Sequence, residues 1–294
     1  MNKIKEFLTV RNIIIVICVI VFCVAGGFLL NKYLSEKKAQ DKFESLSETV
    51  ASTQNTTEVE DNIFTYLGIE DPGKVLDWEK LKEENEDIYA WIYIPNTHVD
   101  YPILQHESND AYYLSYNLDG SKGYPGCIYT ERINEKDFSD HNTLIYGHNM
   151  KNGTMFHDLH EFKDETFFKD NRYIFIYTPE ELLIYDIFAS YKFTDAHILY
   201  TYDCETEEGF QNYIDMIYED YGKSGNFREG VEVTGEDHII TLSTCVGGED
   251  DKRYVVQGVL VEYEDPNAET ESVEETETME ESTETAAEET ETEE

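Results

Sequence analysis

Positive charge is what this sequence has least of: 22 Lys and Arg stand against 63 Asp and Glu in 294 residues, a formal net charge of −41. Neutralising a polyanion takes clustered Lys and Arg, and no stretch gathers enough of them, so nucleic-acid binding is excluded as a function class. Cysteine is scarce too. Of five, Cys18 and Cys23 fall in an apolar run, which leaves Cys127, Cys204 and Cys245. Three is odd, so there is no complete disulfide framework and at least one thiol is unpaired, while a Cys127–Cys204 bridge stays open. In an oxidising exterior a free thiol raises a functional question. The last segment lacks what a core needs. Glu264 to Glu294 holds 15 Asp/Glu and no Lys or Arg, with little apolar beyond Val273, Met279 and scattered Ala. It is expected to be disordered. Removing it leaves −41 + 15 = −26, so the rest is acidic as well.

Against these deficits stands one long apolar run. Ile13 to Leu30 contains no charged residue and follows Lys3, Lys5 and Arg11. At ~1.5 Å per residue it spans about 27 Å, close to the hydrocarbon thickness of a bilayer. That is long for the apolar part of a cleaved leader, although Cys23-Val24-Ala25 before Gly26 offers a cleavage site as the alternative. The reading is an uncleaved signal anchor at residues 12–31, with residues 1–11 on the cytoplasmic side and the bulk of the chain extracellular, despite Lys32, Lys37 and Lys38 beyond the run. No second apolar segment follows the tail, so a single-pass membrane protein is expected.

Phe43, Leu46 and Val50 share one helical face and are followed by the polar stretch Ser52 to Asn62, so residues 32–62 read as a helical, polar stalk. Asp77 has N-cap character before Trp78 and Leu81. Ile88 to Ile94, Val99 to Leu104, Cys127 to Tyr129, Thr143 to Tyr146, Tyr173 to Tyr177, Leu182 to Tyr191, His238 to Ser243 and Tyr254 to Tyr263 read as strands. Phe210, Tyr213, Ile214, Ile217, Tyr218 and Tyr221 fall at helical spacing. Many short strands with few helices predict a mainly β fold, a closed β-barrel at residues 63–263 with helical insertions and a disordered acidic tail at 264–294.

The chemistry concentrates in Thr241-Leu242-Ser243-Thr244-Cys245, with Arg253 opening the next strand and Gly247, Gly248, Glu249, Asp250 and Asp251 in the turn between them. If the two strands form a hairpin, Cys245 and Arg253 face each other. A guanidinium there favours thiolate and can hold a developing oxyanion; the alternative is a packed cysteine beside a solvated arginine. A cysteine nucleophile also needs an imidazole to take and return its proton. His148, just after the apolar strand Leu144 to Tyr146, is the best placed of eight histidines. His157 and His160 have a spacing that a metal could use, but such pairs more often cover a helix, and no metal or cofactor is required.

Together these segments resemble the sortase family, class B. The resemblance rests on the Thr-Leu-Ser-Thr-Cys strand with Arg253 after it, on Tyr146-Gly147-His148-Asn149-Met150 continuing to Met155-Phe156, on Trp91 to Ile94, on Tyr101-Pro102-Ile103-Leu104-Gln105, and on the helix of Phe210 to Tyr221. It covers roughly Ile63 to Tyr263. It implies a sortase-type barrel with N-terminal helices and an inserted helix between late strands. It further implies a cysteine transpeptidase that cuts the sorting signal of a surface protein after its Thr, forms a thioacyl enzyme and passes the acyl group to an amine of a peptidoglycan precursor or a pilin. Cys245 is then the nucleophile, His148 the general acid/base and Arg253 the oxyanion and substrate-orienting group. Substrate contacts carry over to Asn109, Tyr146, Ser243, Thr194 and Ile198. Val246 departs from the family where some members carry an acidic residue, and the glutamate-rich tail lies outside its pattern. Two other readings use the same residues differently: a catalytically silent wall-binding or adhesion domain, and a hydrolytic cysteine peptidase with water as acceptor.

Overall fold

The computed structural model describes residues 10–49 and 63–263; the expectations for residues 1–9, for 50–62 of the stalk and for the acidic tail lie outside the described residues. The chain divides into two units, one of Met1–Val50 with Leu76–Leu260 and one of Ala51–Val75 with Val261–Glu294. The first begins with helix α1, Val10–Thr49. The apolar run and the amphipathic segment after it, read separately in the sequence, form this one unbroken helix. Phe43 and Leu46 are buried, and the Phe43 ring meets that of Tyr101 edge-on at 5.4 Å. In the second unit a single helical turn, α2 (Ile63–Leu67), is described, and the rings of Tyr66 and Tyr263 lie 5.5 Å apart.

Returning to the first unit, α3 (Trp78–Glu84) starts where the sequence places a cap, with the Asp77 carboxylate accepting from the Lys80 amide at 3.1 Å. The strands are β1 (Ile88–Tyr93), β2 (Asp100–Leu104), β3 (Ile128–Thr130), β4 (Asn142–Tyr146), β5 (Tyr173–Tyr177), β6 (Leu182–Thr194), β7 (Asn226–Phe227), β8 (Ile239–Val246) and β9 (Glu249–Leu260). The remaining helices are α4 (Glu165–Asp170), α5 (Ile198–Thr201) and α6 (Glu207–Tyr221). Pairing runs β5-β1-β2-β3-β4-β8-β9-β6-β7, and β5 also pairs with β6, which closes eight strands into a barrel with β7 on its side. Closure removes the free sheet edges. Two pairs are parallel, β2 with β3 and β4 with β8. The strands are rich in Ile, Val, Tyr and Phe, and most of their residues are buried, because the barrel interior and the outer layer both cover them.

Helix α6 packs its Phe210, Tyr213, Ile214 and Ile217 into a cluster with Leu144, Val255 and Val259. Tyr218, on the expected face, is 38% exposed, so the buried stripe is narrower than the spacing suggests. At the centre of this layer is Gln257, fully buried on β9. Its amide oxygen accepts from Tyr191 Oη at 2.9 Å, and its nitrogen donates to Tyr213 Oη at 3.0 Å and Thr241 Oγ1 at 2.8 Å. Thr241 in turn donates to Asn142 Oδ1 at 2.8 Å. One polar chain thus joins α6, β6, β9, β8 and β4. A connected buried network favours one arrangement, and removing a member weakens the hold on its partners. Gln257→Leu is therefore expected to lower unfolding stability by about 3 kcal/mol, from the loss of three buried hydrogen bonds at about 1 kcal/mol each. Urea denaturation of the two proteins checks this; a loss below about 0.5 kcal/mol, the scale of an ordinary surface substitution, would contradict it.

Candidate active site

The site forms at the ends of β4, β8 and β9. In the antiparallel β8–β9 hairpin Cys245 stands opposite Arg253. The turn between them is shorter than the sequence suggests. Gly247 and Gly248 alone make it, with Gly248 at φ +83°, a left-handed conformation that glycine adopts without steric cost. Glu249, Asp250 and Asp251, read as part of the turn, instead open β9, and Val246 pairs with Glu249. These acidic side chains stay in solvent beside lysines, Glu249 with Lys192 at 2.7 Å and Asp251 with Lys252 at 3.4 Å.

The parallel pairing of β4 and β8 supplies the third group. Its register runs to Tyr146 opposite Ser243. Contact continues beyond it: the Gly147 amide donates to the Ser243 carbonyl at 3.1 Å, and Thr244 Oγ1 donates to the Gly147 carbonyl at 2.7 Å. Two residues past the last register pair come His148, in the segment that leaves β4, and Cys245, still on β8. Glycine is required at 147, since a Cβ would fall 2.5 Å from the Ile128 side chain and 2.6 Å from the Phe156 ring.

Cys245 is exposed, whereas Cys127 and Cys204 are buried, and all three are free, so the Cys127–Cys204 bridge left open by the sequence is not formed. Burial pushes the Cys204 thiol up to about 12 and Cys127 well above its ordinary value. Both therefore stay protonated and unreactive at neutral pH. The His148 imidazole lies against the Tyr124 ring at 5.1 Å, with Nε2 2.8 Å from the Leu114 carbonyl. No hydrogen bond joins it to the Cys245 thiol among the described residues. Arg253 Nη1 donates to the carbonyls of Asp250 at 3.0 Å and Lys252 at 2.9 Å.

Of the expected substrate contacts, Tyr146 and Ser243 adjoin the site through the β4–β8 register, and Ser243 is buried. The Tyr146 ring stacks on Tyr129 at 5.4 Å and faces His197 at 6.2 Å. Burial first, and the Glu131 carboxylate second, raise both phenols above their ordinary value, while Arg253 pulls Tyr146 the other way. Their hydroxyls are thus protonated donors. Thr194 ends β6 opposite Lys252, next to the Phe193–Arg253 pair. Ile198 opens α5, which His197 caps, and is buried in the cluster with Leu144 and Phe193. Asn109 is not brought into contact with Cys245, His148 or Arg253 among the described residues. Exposed, it accepts from the Ala111 amide at 3.2 Å, while its neighbour Asp110 grips Arg132 at 2.9 Å.

Two groups absent from the expected site touch the backbone of Cys245, and a third touches one of them. Asn149 Nδ2 donates to its carbonyl at 2.9 Å, and His160 Nε2 lies 3.0 Å from the same oxygen and 2.8 Å from Asn149 Nδ2. His157 Nδ1 sits 2.8 Å from Asn149 Oδ1. The His157–Lys163 segment is a 3-10 helix, so His160 leans on the end of β8 and His157 on Asn149, rather than covering an α-helix. Their spacing was the available signal, and only the fold-back gives it a target. Among the described residues no cluster of three His, Cys, Asp or Glu could hold a metal.

Burial, with the positive charge of Lys163 second, pulls the His160 imidazole below its ordinary 6.5. The unfolded chain therefore takes up a proton that the folded chain refuses as pH falls below about 6.5, so the His160 contribution to stability is lost on acidification. His160→Gln is expected to show a smaller drop in urea midpoint between about pH 8 and pH 5 than the unaltered chain. Equal drops in both would remove His160 as a cause.

A family model for the Sortase domain matches residues 92–261. Sortase B of Listeria monocytogenes is 34% identical over 262 residues, covering 88% of this chain and 99% of that protein. The crystal structure of Clostridium perfringens sortase B superposes with a TM-score of 0.57 at 30% identity, over 63% of this chain and all of that one. A Staphylococcus aureus sortase B–substrate complex gives 0.61 at 25% identity, over 79% and 100% of the two chains.

Proposed function

The chain belongs to the sortase family as a class B member, a cysteine transpeptidase, and from that premise we propose which residues perform the transfer and on what. The observation that carries the proposal is the register of β4, β8 and β9: Cys245, its thiol exposed, stands opposite Arg253, and the β4–β8 register ends two residues short of His148 and Cys245. Cys245 Sγ attacks the carbonyl carbon of the sorting-signal Thr, and its proton passes to the His148 imidazole. The oxyanion that develops faces the Arg253 guanidinium, a fixed positive charge where negative charge appears. The C–N bond then breaks, His148 returns the proton to the departing amine, and a thioester to Cys245 remains. An amine of a peptidoglycan precursor or a pilin attacks the thioester, gives up a proton to His148, and releases the thiol. A thioester resists water long enough to meet an amine while staying reactive toward it.

In the free protein His148 Nε2 faces the Leu114 carbonyl at 2.8 Å, and in the proposed reaction substrate brings the imidazole and the thiol together. Loose catalytic hydrogen bonds are common before substrate arrives. Tyr146, Ser243 and Thr194 line the path of the sorting peptide, with Tyr129 added to them through its stack on Tyr146; Ile198 supports the path from the core behind it, and Asn109 is assigned to the peptide at a point away from Cys245. The apolar part of α1, Ile13 to Leu30, is long and apolar enough to cross a bilayer, and it tethers the catalytic domain on the extracellular side, next to surface proteins that carry the sorting signal.

Incubating the full chain with sorting peptides of the Leu-Pro-x-Thr-Gly and Asn-Pro-x-Thr-x kinds, with and without an amine, tests this by mass spectrometry. A thioacyl adduct on Cys245 that an added amine converts to a new amide is expected. Adduct resolved only to free acid would favour the hydrolytic peptidase, and no adduct with any peptide the silent domain. His148→Ala and Arg253→Ala are each expected to lose about 10²-fold or more in turnover, the scale of removing an acid/base group or an oxyanion donor. Near-normal turnover in either would remove that residue from its role.

A further inference from the structure

We propose that the rim of this site beside His148, formed by Tyr124 and Leu114, docks on the bilayer that holds α1, its partner being the lipid headgroup layer. The proposal rests on the reading of α1 as a membrane anchor. It begins from the continuity of that helix. Val10–Thr49 is one element; its apolar half is unburied by protein, and its other half is fastened to the barrel by Phe43 and Leu46 and by ion pairs of Lys42 with Glu84 and Lys38 with Asp119. From Leu30 to Phe43 the helix rises only about 20 Å. A barrel clamped to a rigid helix at that height has little freedom to stand away from the membrane.

The contact that sets orientation is nearer still. Lys32, two residues after the apolar run, places its Nζ over the Tyr124 ring, 5.7 Å from the centroid. The far side of this connection is the reaction centre, since the Tyr124 ring lies 5.1 Å from that of His148. Two side-chain contacts therefore separate the membrane edge from the imidazole. The Leu114 carbonyl on the same rim accepts from or faces His148 Nε2 at 2.8 Å.

The chemistry at this level suits headgroups. Tyr33 is 61% exposed, Leu34 54%, Tyr124 52% and Leu114 44%. Tyrosines with an apolar body and a polar tip concentrate at membrane–water interfaces. In a chain of net charge −41, exposed Lys32, Lys37 and Lys38 on α1 and Lys122 two residues before Tyr124 cluster here; Lys32 pairs with Glu36 at 3.7 Å and Lys38 with Asp119 at 3.5 Å, so the excess positive charge rests on Lys37 and Lys122. Basic side chains next to a span are drawn to anionic lipid, and the acidic remainder is repelled from it. Both forces turn the same rim toward the bilayer. The cleft then opens at headgroup height, and the molecules that enter it are those the membrane retains.

The test uses the full chain in phosphatidylcholine–phosphatidylglycerol vesicles made with or without bromine on the acyl chains. Tyr124→Trp and, as a second variant, Leu114→Trp place a reporter on the rim. Glu236→Trp places one in the exposed loop before β8, at the other end of that strand from Cys245. The signal of Trp78 and Trp91 is subtracted using the unaltered chain. Brominated lipid is expected to reduce the rim reporters by about half, as for side chains seated in the interface, and to leave Glu236→Trp nearly unchanged. If the chain floats with the vesicles but the rim reporters are unquenched, or all three reporters respond alike, docking is overturned while the anchor stands. A chain that does not float overturns the anchor reading and docking with it. Should Tyr124→Trp fail to fold, Leu114→Trp decides alone.

Discussion

The side-by-side, parallel pairing of β4 with β8 is the constraint from which the site follows. Two segments about a hundred residues apart in sequence meet in fixed register, Tyr146 against Ser243, two residues before His148 and Cys245. Parallel neighbours need a long crossover, and here the crossover contains β5, β6, α5 and α6, the elements that also supply Thr194 and Ile198. The same connection brings Tyr213 to Gln257 of β9, in the polar chain that ends on Asn142 at the start of β4. Barrel closure, core packing and the geometry around the thiol are thus one arrangement, and a shift of β8 by one residue would turn Cys245 to the opposite face.

The neighbourhood of Cys245 is asymmetric. Its side chain is exposed, but its carbonyl is held by Asn149 and His160, and its strand partner is a cation. Holding the backbone rather than the sulfur leaves the reactive atom unencumbered while fixing where it stands, which is what a preorganised nucleophile requires. The other two thiols outside α1 show the opposite treatment: buried, raised in pKa and chemically silent.

Much of this was readable from local sequence. Strands rich in β-branched and aromatic residues declared themselves, and the Gly-Gly turn kept Cys245 and Arg253 close enough in sequence to be matched. The start of β9 was not readable, because Glu249, Asp250 and Asp251 have poor strand propensity; cross-strand pairing with β8 and β6 outweighs it. Asn149 and His160 were invisible as partners of Cys245, since a 3-10 segment folding back onto a strand end leaves no periodic signal. The unity of α1 was hidden by its change from apolar to charged at Lys32, which alters what surrounds a helix without interrupting its hydrogen bonds. His148 was found through the motif around it, and its place beside Cys245 rests on a long-range register that no local pattern encodes.

That register has a direct measurement. If the β4–β8 alignment runs on two residues beyond Tyr146 and Ser243, positions 148 and 245 fall within the Cα separation of about 4.4–6.8 Å that a disulfide spans, so His148→Cys in the full chain should oxidise mildly to a bond between them. The account predicts a single linked peptide pair joining those two positions, lighter by two hydrogens, with Cys127 and Cys204 still free. A thiol at 148 that remains reduced, or that pairs elsewhere while Cys245 stays free, would contradict it.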